Sequence, residues 1–235
     1  MNIRVRFRKY GVLKFIGHLD VMRYFQKAIR RADIDICYSE GYSPHMIMSF
    51  ASPLGLGLES DGEYMDIRIN GSISSKEAVR RLNAVMVEGI DVISFRELPE
   101  NSKNAMSIVE AADYEVRFRK GHEPEEGWQK RLRAYLEQPE IWITKETKKG
   151  EERVDIRPLV YAWDVSPNGT IAMKVCASSS GNLKPEVLLI PFGEHEGVEI
   201  SRISLQIRRK EIYAKLADEG GQRLVALEEL GEEIA

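Results

Sequence analysis

The chain opens with strict alternation. Ile3, Val5 and Phe7 interleave with Arg4, Arg6 and Arg8. A period of two residues is that of a strand with one buried and one solvated face. From Leu19 the period changes, and Leu19, Met22, Phe25, Ile29 and Ala32 recur at steps of three and four, the apolar stripe of an amphipathic helix. A strand feeding directly into such a helix limits the N-terminal part to folds that pack a helix on a sheet. Asp20 suits the positive end of that helix's dipole.

The pattern continues in kind. Ile34 to Tyr38 reads as a short strand, Gly41 to His45 as a loop, and Met46 to Ala51 as a buried strand. Asp61-Gly62 reads as a hairpin turn, and Tyr64 to Ile69 alternates as another strand. Ser74 or Ser75 is placed to cap a helix from Lys76 to Val87, and Ile90 to Phe95 closes with a strand. The order β-α-β-β-α-β is that of a ferredoxin-like unit.

Val5-Arg6-Phe7-Arg8-Lys9 recurs letter for letter as Val116-Arg117-Phe118-Arg119-Lys120. After the second copy come a helix (Trp128 to Leu136), a strand from Ile141, a lysine-rich turn at Lys148-Lys149-Gly150 and a strand from Arg153 to Ile156. A hairpin around Pro167-Asn168-Gly169, a Ser/Gly loop from Ser178 to Gly181, a helix from Leu183 to Ile190 and a strand through Ile203, Leu205 and Ile207 complete it. The expectation is an α+β protein of two tandem ferredoxin-like modules with antiparallel sheets. They span residues 1–98 and 108–210, the second more decorated, with Pro99 to Ser107 as linker. Residues 211–235, carrying Glu228, Glu229, Glu232 and Glu233, read as an acidic tail, helical or frayed.

The chain of 235 residues has 43% hydrophobic residues, enough to build a packed core, and a net charge of −3. That mild charge argues against whole-molecule attraction to nucleic acid or membrane but says nothing about local patches. The two cysteines, Cys37 and Cys176, form no zinc or iron–sulfur spacing. No apolar window approaches the ~18 residues of a membrane span, and no signal sequence is read. A cytoplasmic protein without cofactor or metal is expected.

The first helix carries Arg23, Lys27, Arg30 and Arg31 at steps that place most of them on one stripe opposite the apolar face. With Arg4, Arg6 and Arg8 on the first strand and Tyr10, Tyr24 and Tyr42 nearby in sequence, this is the chemistry of single-stranded polynucleotide binding: cations for phosphates, rings for bases. A solvated charged face is the plainer alternative. His18 follows a glycine at the strand-to-helix junction, where an imidazole can bond phosphate or serve as general acid and base. His45 lies in the Gly41–His45 loop. No serine or cysteine has an evident base partner, and His18, His45 and Asp20 match no metal-ligand spacing. Gly55-Leu56-Gly57 lacks the helix and lysine of a phosphate loop and reads as a bend.

Gly17-His18-Leu19-Asp20 with its basic helix, Gly41-Tyr42-Ser43-Pro44-His45, Ser49-Phe50-Ala51-Ser52-Pro53-Leu54, Gly62-Glu63-Tyr64 and Val154-Asp155-Ile156-Arg157-Pro158 occur in that order. Together they resemble a bacterial family of radical-SAM-associated domains of unknown function, over most of residues 1–210. The resemblance implies a radical SAM protein as partner, since in the family the domain is encoded beside or fused behind one. The chain itself lacks the CxxxCxxC cluster motif. It departs from the family at Met46 and Ile47, where the loop histidine is often followed by proline and a basic residue. A more distant, fold-level likeness is to tandem ferredoxin-like RNA-binding proteins of CRISPR systems. The expected function is an RNA- or tRNA-binding accessory protein for a radical SAM enzyme, with Tyr42 and His45 joining the seven cations as contacts. The alternatives are a metal-independent endoribonuclease using His18 and a protein–protein scaffold without nucleic acid.

Overall fold

The computed structural model describes residues 1–147, 150–179, 181–218 and 221–235. It is an α+β protein of mostly antiparallel sheet and few helices, in two compact units. One comprises Met1–Glu110 with Arg209–Ala235, the other Ala111–Arg208.

In the first unit, β1 (Asn2–Lys9) leads through a 3-10 turn (Gly11–Phe15) to α1 (His18–Arg31). Then follow β2 (Met48–Phe50), β3 (Glu59–Arg68), α2 (Ser75–Val85), β4 (Ile90–Leu98) and the short α3 (Ala105–Ile108). β1 runs antiparallel to both β3 and β4, and β2 pairs antiparallel with β3. The strand order is therefore β2-β3-β1-β4.

Both helices pack on one face of this sheet. Ile3, Val5 and Phe7 of β1 join Val21, Phe25 and Ile29 of α1 and Ala78 and Leu82 of α2 in one core. The rings of Phe7, Phe25 and Phe50 meet at 4.7 to 6.0 Å in tilted and edge-on contacts. The buried face of α1 is Val21, Phe25, Ala28 and Ile29, while Leu19 is exposed. The apolar stripe is thus rotated from the one expected to begin at Leu19. Ser74 caps α2 by accepting from the Glu77 amide.

Several local expectations change. The stretch from Ile34 to Tyr38 makes only single bridges, Ile36 to Ile69 and Tyr38 to Met46. Asp61-Gly62 is no turn but lies inside β3. Gly62 serves close approach there, since a Cβ would stand 2.8 Å from the Lys210 carbonyl oxygen. The expected linker holds α3 at its end.

The second unit contains β5 (Val109–Phe118, whose first residues belong to the first unit), α4 (Trp128–Leu136) and the separate hairpin β6 (Trp142–Thr147) with β7 (Gly150–Asp155). Next come β8 (Val160–Val165), β9 (Ile171–Ser178), the short β10 (Gly181–Asn182) and α5 (Pro185–Glu196). β11 (Leu205–Asp218) belongs to this unit up to Arg208. β9 pairs antiparallel with both β5 and β8, and the order is β8-β9-β5-β11. Val116, Phe118, Trp128, Leu132, Val175, Leu188 and Phe192 are among its buried residues. Gly169 takes φ +82° in the turn between β8 and β9, as the Pro-Asn-Gly sequence suggests. Lys148, Lys149 and Ser180 lie outside the described residues. Ile203 sits in a 3-10 turn before β11, 76% exposed, rather than on the strand.

The described residues of 211–235 lie mostly in paired strands and include no α-helix. β11 continues to Asp218, pairs with β12 (Gly221–Ala226), and leads through a 3-10 turn (Leu227–Leu230) to β13 (Glu232–Glu233), which pairs with β4. Leu227 is fully buried. Among the described residues no helix is long and apolar enough to cross a membrane.

Candidate nucleic-acid interface

The expected cations divide into two sets. On β1 they serve the fold. Arg4, expected on a solvated face, is 1% exposed and holds Asp66 with two bonds of 2.8 and 2.9 Å while donating to the Leu227 carbonyl. Arg6 pairs with Glu211 at 2.8 Å and with Glu228. Arg8 is exposed and pairs with Asp91 at 2.7 Å. The second face of the sheet is therefore covered, and glutamates of the C-terminal segment neutralise part of it. Burial pushes the Glu211 carboxyl up, against bonds from the Tyr64 hydroxyl (2.6 Å) and the Ile212 amide (2.8 Å) that pull it down. Arg209 and Glu63 form a second such pair, 3% and 6% exposed, with Arg209 also donating to the Ser52 carbonyl.

α1 presents the other set. With its apolar face on the core, Arg23, Lys27, Arg30 and Arg31 are all exposed. At 1.5 Å per residue they span ~12 Å of the helix. Arg30 and Arg31 lie in the last turn, where cations favour the dipole. Arg23 meets Asp20 at 3.7 Å with both side chains mostly exposed, a pair that holds its charge loosely. Arg31 donates to the Val85 carbonyl. Among the described residues, Lys27 and Arg30 have no ion pair. Here the cations are available to a phosphate chain.

His18 is the first residue of α1, half-buried, its ring edge-on to Phe50 at 5.1 Å. No carboxylate bonds its imidazole among the described residues, so a general base there lacks the orienting partner usual for the role. His45 is exposed. Its Nδ1 lies 2.9 Å from Ser39 Oγ, and its amide donates to the same oxygen. These bonds and the Tyr38–Met46 bridge close the loop whose Tyr42 stands fully exposed. No hydrogen bond or ring contact joins His18, Tyr42 and His45 to one another among the described residues. Among the described residues no group of three His, Cys, Asp or Glu side chains gathers in a way that could hold a metal ion.

Two features escaped the sequence. Arg209–Glu63 joins residues too far apart in the chain for any spacing rule. A cavity of ≈ 390 Å³ lies beside the Arg4–Asp66 pair, with His45, Arg68 and Lys103 in its wall.

No curated protein matches the chain. The family described as an uncharacterized protein conserved in bacteria (DUF2344) matches residues 2–185, from β1 to the start of α5, and the chain belongs to that family.

Proposed function

We propose that this chain is an RNA-binding accessory protein that holds its nucleic acid along the outer face of α1 and acts beside a radical SAM enzyme in the cytoplasm. One observation carries the RNA contact: Arg23, Lys27, Arg30 and Arg31 stay exposed on one helix while Arg4 and Arg6 are taken up in internal pairs. A strand-borne arginine with a buried carboxylate partner has no charge to offer a phosphate; a helix-borne cation without one does. The exposed ring of Tyr42 supplies a surface for base stacking. The radical SAM partner rests on the resemblance carried by the Gly17–Asp20, Gly41–His45 and Ser49–Leu54 segments. We also read each unit as a ferredoxin-like module, supported by the orders β2-β3-β1-β4 and β8-β9-β5-β11.

Crosslinking with RNA that contains 4-thiouridine tests the contact. Adducts on peptides covering residues 18–31 or 38–45 are expected. Adducts confined to other peptides, or none at all, would remove α1 from the interface.

A second reading has its own observation. Val12, Phe15, Leu19 and Leu56 are large apolar side chains, each more than half exposed, and the Gly57 amide donates to the Lys14 carbonyl at 2.9 Å, which joins the segment of Leu56 to that of Phe15. Such a cluster suits a protein partner. Leu19 lies one helical turn before Arg23, so a partner seated there would border the cationic stripe.

A further inference from the structure

We propose that the ≈ 390 Å³ cavity on the first unit is a binding site for a nucleoside monophosphate unit, either free or as the phosphorylated end of an RNA. Its place in the sheet is defined by β1 and β3. Asn2, Asp66 and Arg68 project on the face of Arg4, opposite the face that carries α1. The site is therefore separate from the helix stripe. It rests on the RNA reading only for the second of its two ligand sources.

The charges of the cavity can be sorted one by one. Asp66 is already satisfied, with both oxygens held by Arg4 and one of them also accepting from the Ala105 amide at 2.7 Å. Arg68 donates through Nε to Asn2 Oδ1 at 3.2 Å, which orients its guanidinium. Among the described residues its terminal nitrogens have no partner, and neither has the Lys103 ammonium. Two cations in one wall therefore face the cavity with their donors unspent, and this is the chemistry of a phosphate site: a planar fork beside a point charge. His45 adds an imidazole to the same wall.

The remainder of the wall favours a nucleoside over a bare anion. Ile47, half-buried, offers apolar surface for the flat face of a base. Glu100, which no cation neutralises among the described residues, can accept from an exocyclic amine. The volume lies within the usual range for small-molecule sites, about 300–1,000 Å³, and exceeds what inorganic phosphate would fill.

The test is calorimetric titration of the full chain with AMP, adenosine, and short RNAs bearing a 5′-phosphate or a 5′-hydroxyl. AMP should bind and adenosine should not. Lys103→Gln, which removes no contact within the protein, should weaken AMP about tenfold or more. Arg68→Gln should do likewise, with far-UV circular dichroism checking its fold. A 5′-phosphate preference among the RNAs that is lost in Lys103→Gln would identify an RNA end as the natural source. Equal binding of both RNAs with AMP retained would identify a free nucleotide. No AMP binding and no 5′-phosphate preference, or binding that survives both variants, overturns the site. RNA binding abolished by Arg23→Ala with Arg30→Ala while AMP fails would overturn the cavity site alone and leave the α1 interface standing.

Discussion

Replacing Asp66 by Asn asks whether Arg4 is a surface cation or a structural one. The side chains are 1% and 13% exposed, and the carboxylate accepts two guanidinium bonds and one from the Ala105 amide. Asparagine keeps the shape but presents an NH2 group to donors that need an acceptor. It also leaves the Arg4 charge buried without a counter-charge, with one amide oxygen and the Leu227 carbonyl as acceptors. Removing one partner of a buried pair costs about 3–5 kcal/mol, against at most about 1 for an exposed pair. Urea unfolding followed by far-UV circular dichroism reads this directly. Tryptophan fluorescence reports on the other unit, where Trp128, Trp142 and Trp163 all lie. The expected loss corresponds to a fall in Tm on the order of 10 °C. In a cycle with Arg4→Met, the two substitutions should couple by about 1.5 kcal/mol or more. A loss below about 1 kcal/mol, with no coupling, would refute the buried pair and return Arg4 to the solvent-facing set.

Gly62→Ala puts a Cβ 2.8 Å from the Lys210 carbonyl and 3.1 Å from the Glu211 Cα, so it should destabilise the first unit by about 1–3 kcal/mol in the same unfolding assay. Bonds from Arg80 and then Arg81 hold the Glu77 carboxyl down at about 2, which carbon-detected NMR titration should find. Because that value lies below the ordinary one, the pair's contribution is present above the ordinary carboxylate range and fades as pH falls through about 2. Arg80→Gln should raise the Glu77 value.

The sequence spoke most clearly where one physical rule acted alone. The alternation of Ile3, Val5 and Phe7, the helix Trp128–Leu136 and the Ser74 cap all follow from local chemistry, and each has its place in the structure. It misled where distant segments meet. Arg4 and Arg6 look solvated beside alternating apolar residues because nothing local reveals Asp66, Glu211 and Leu227. The acidic run near the C-terminus looks like a tail for the same reason. Its Glu228 is the counter-charge of Arg6, and the basic start and acidic end of the chain are two halves of one network. Asp61-Gly62 carries the residues of a turn, yet the glycine is there for the backbone of β11. The cationic stripe on α1 was legible because a helix fixes its own faces; the cavity beside Arg68 was not, because its wall comes from separate loops and strands.

The claim that α1 offers its cations to RNA is tested most directly by salt dependence. The logarithm of the binding constant for single-stranded RNA should fall linearly with the logarithm of salt concentration. Each phosphate contact contributes about 0.7 to the slope, so the four α1 cations together account for at most about 3. Lys27→Gln with Arg30→Gln removes two contacts at positions that pair with nothing else among the described residues, and should make the slope shallower by about 1.4. A slope identical to that of the unmodified chain, or no RNA binding at low salt, would contradict the account.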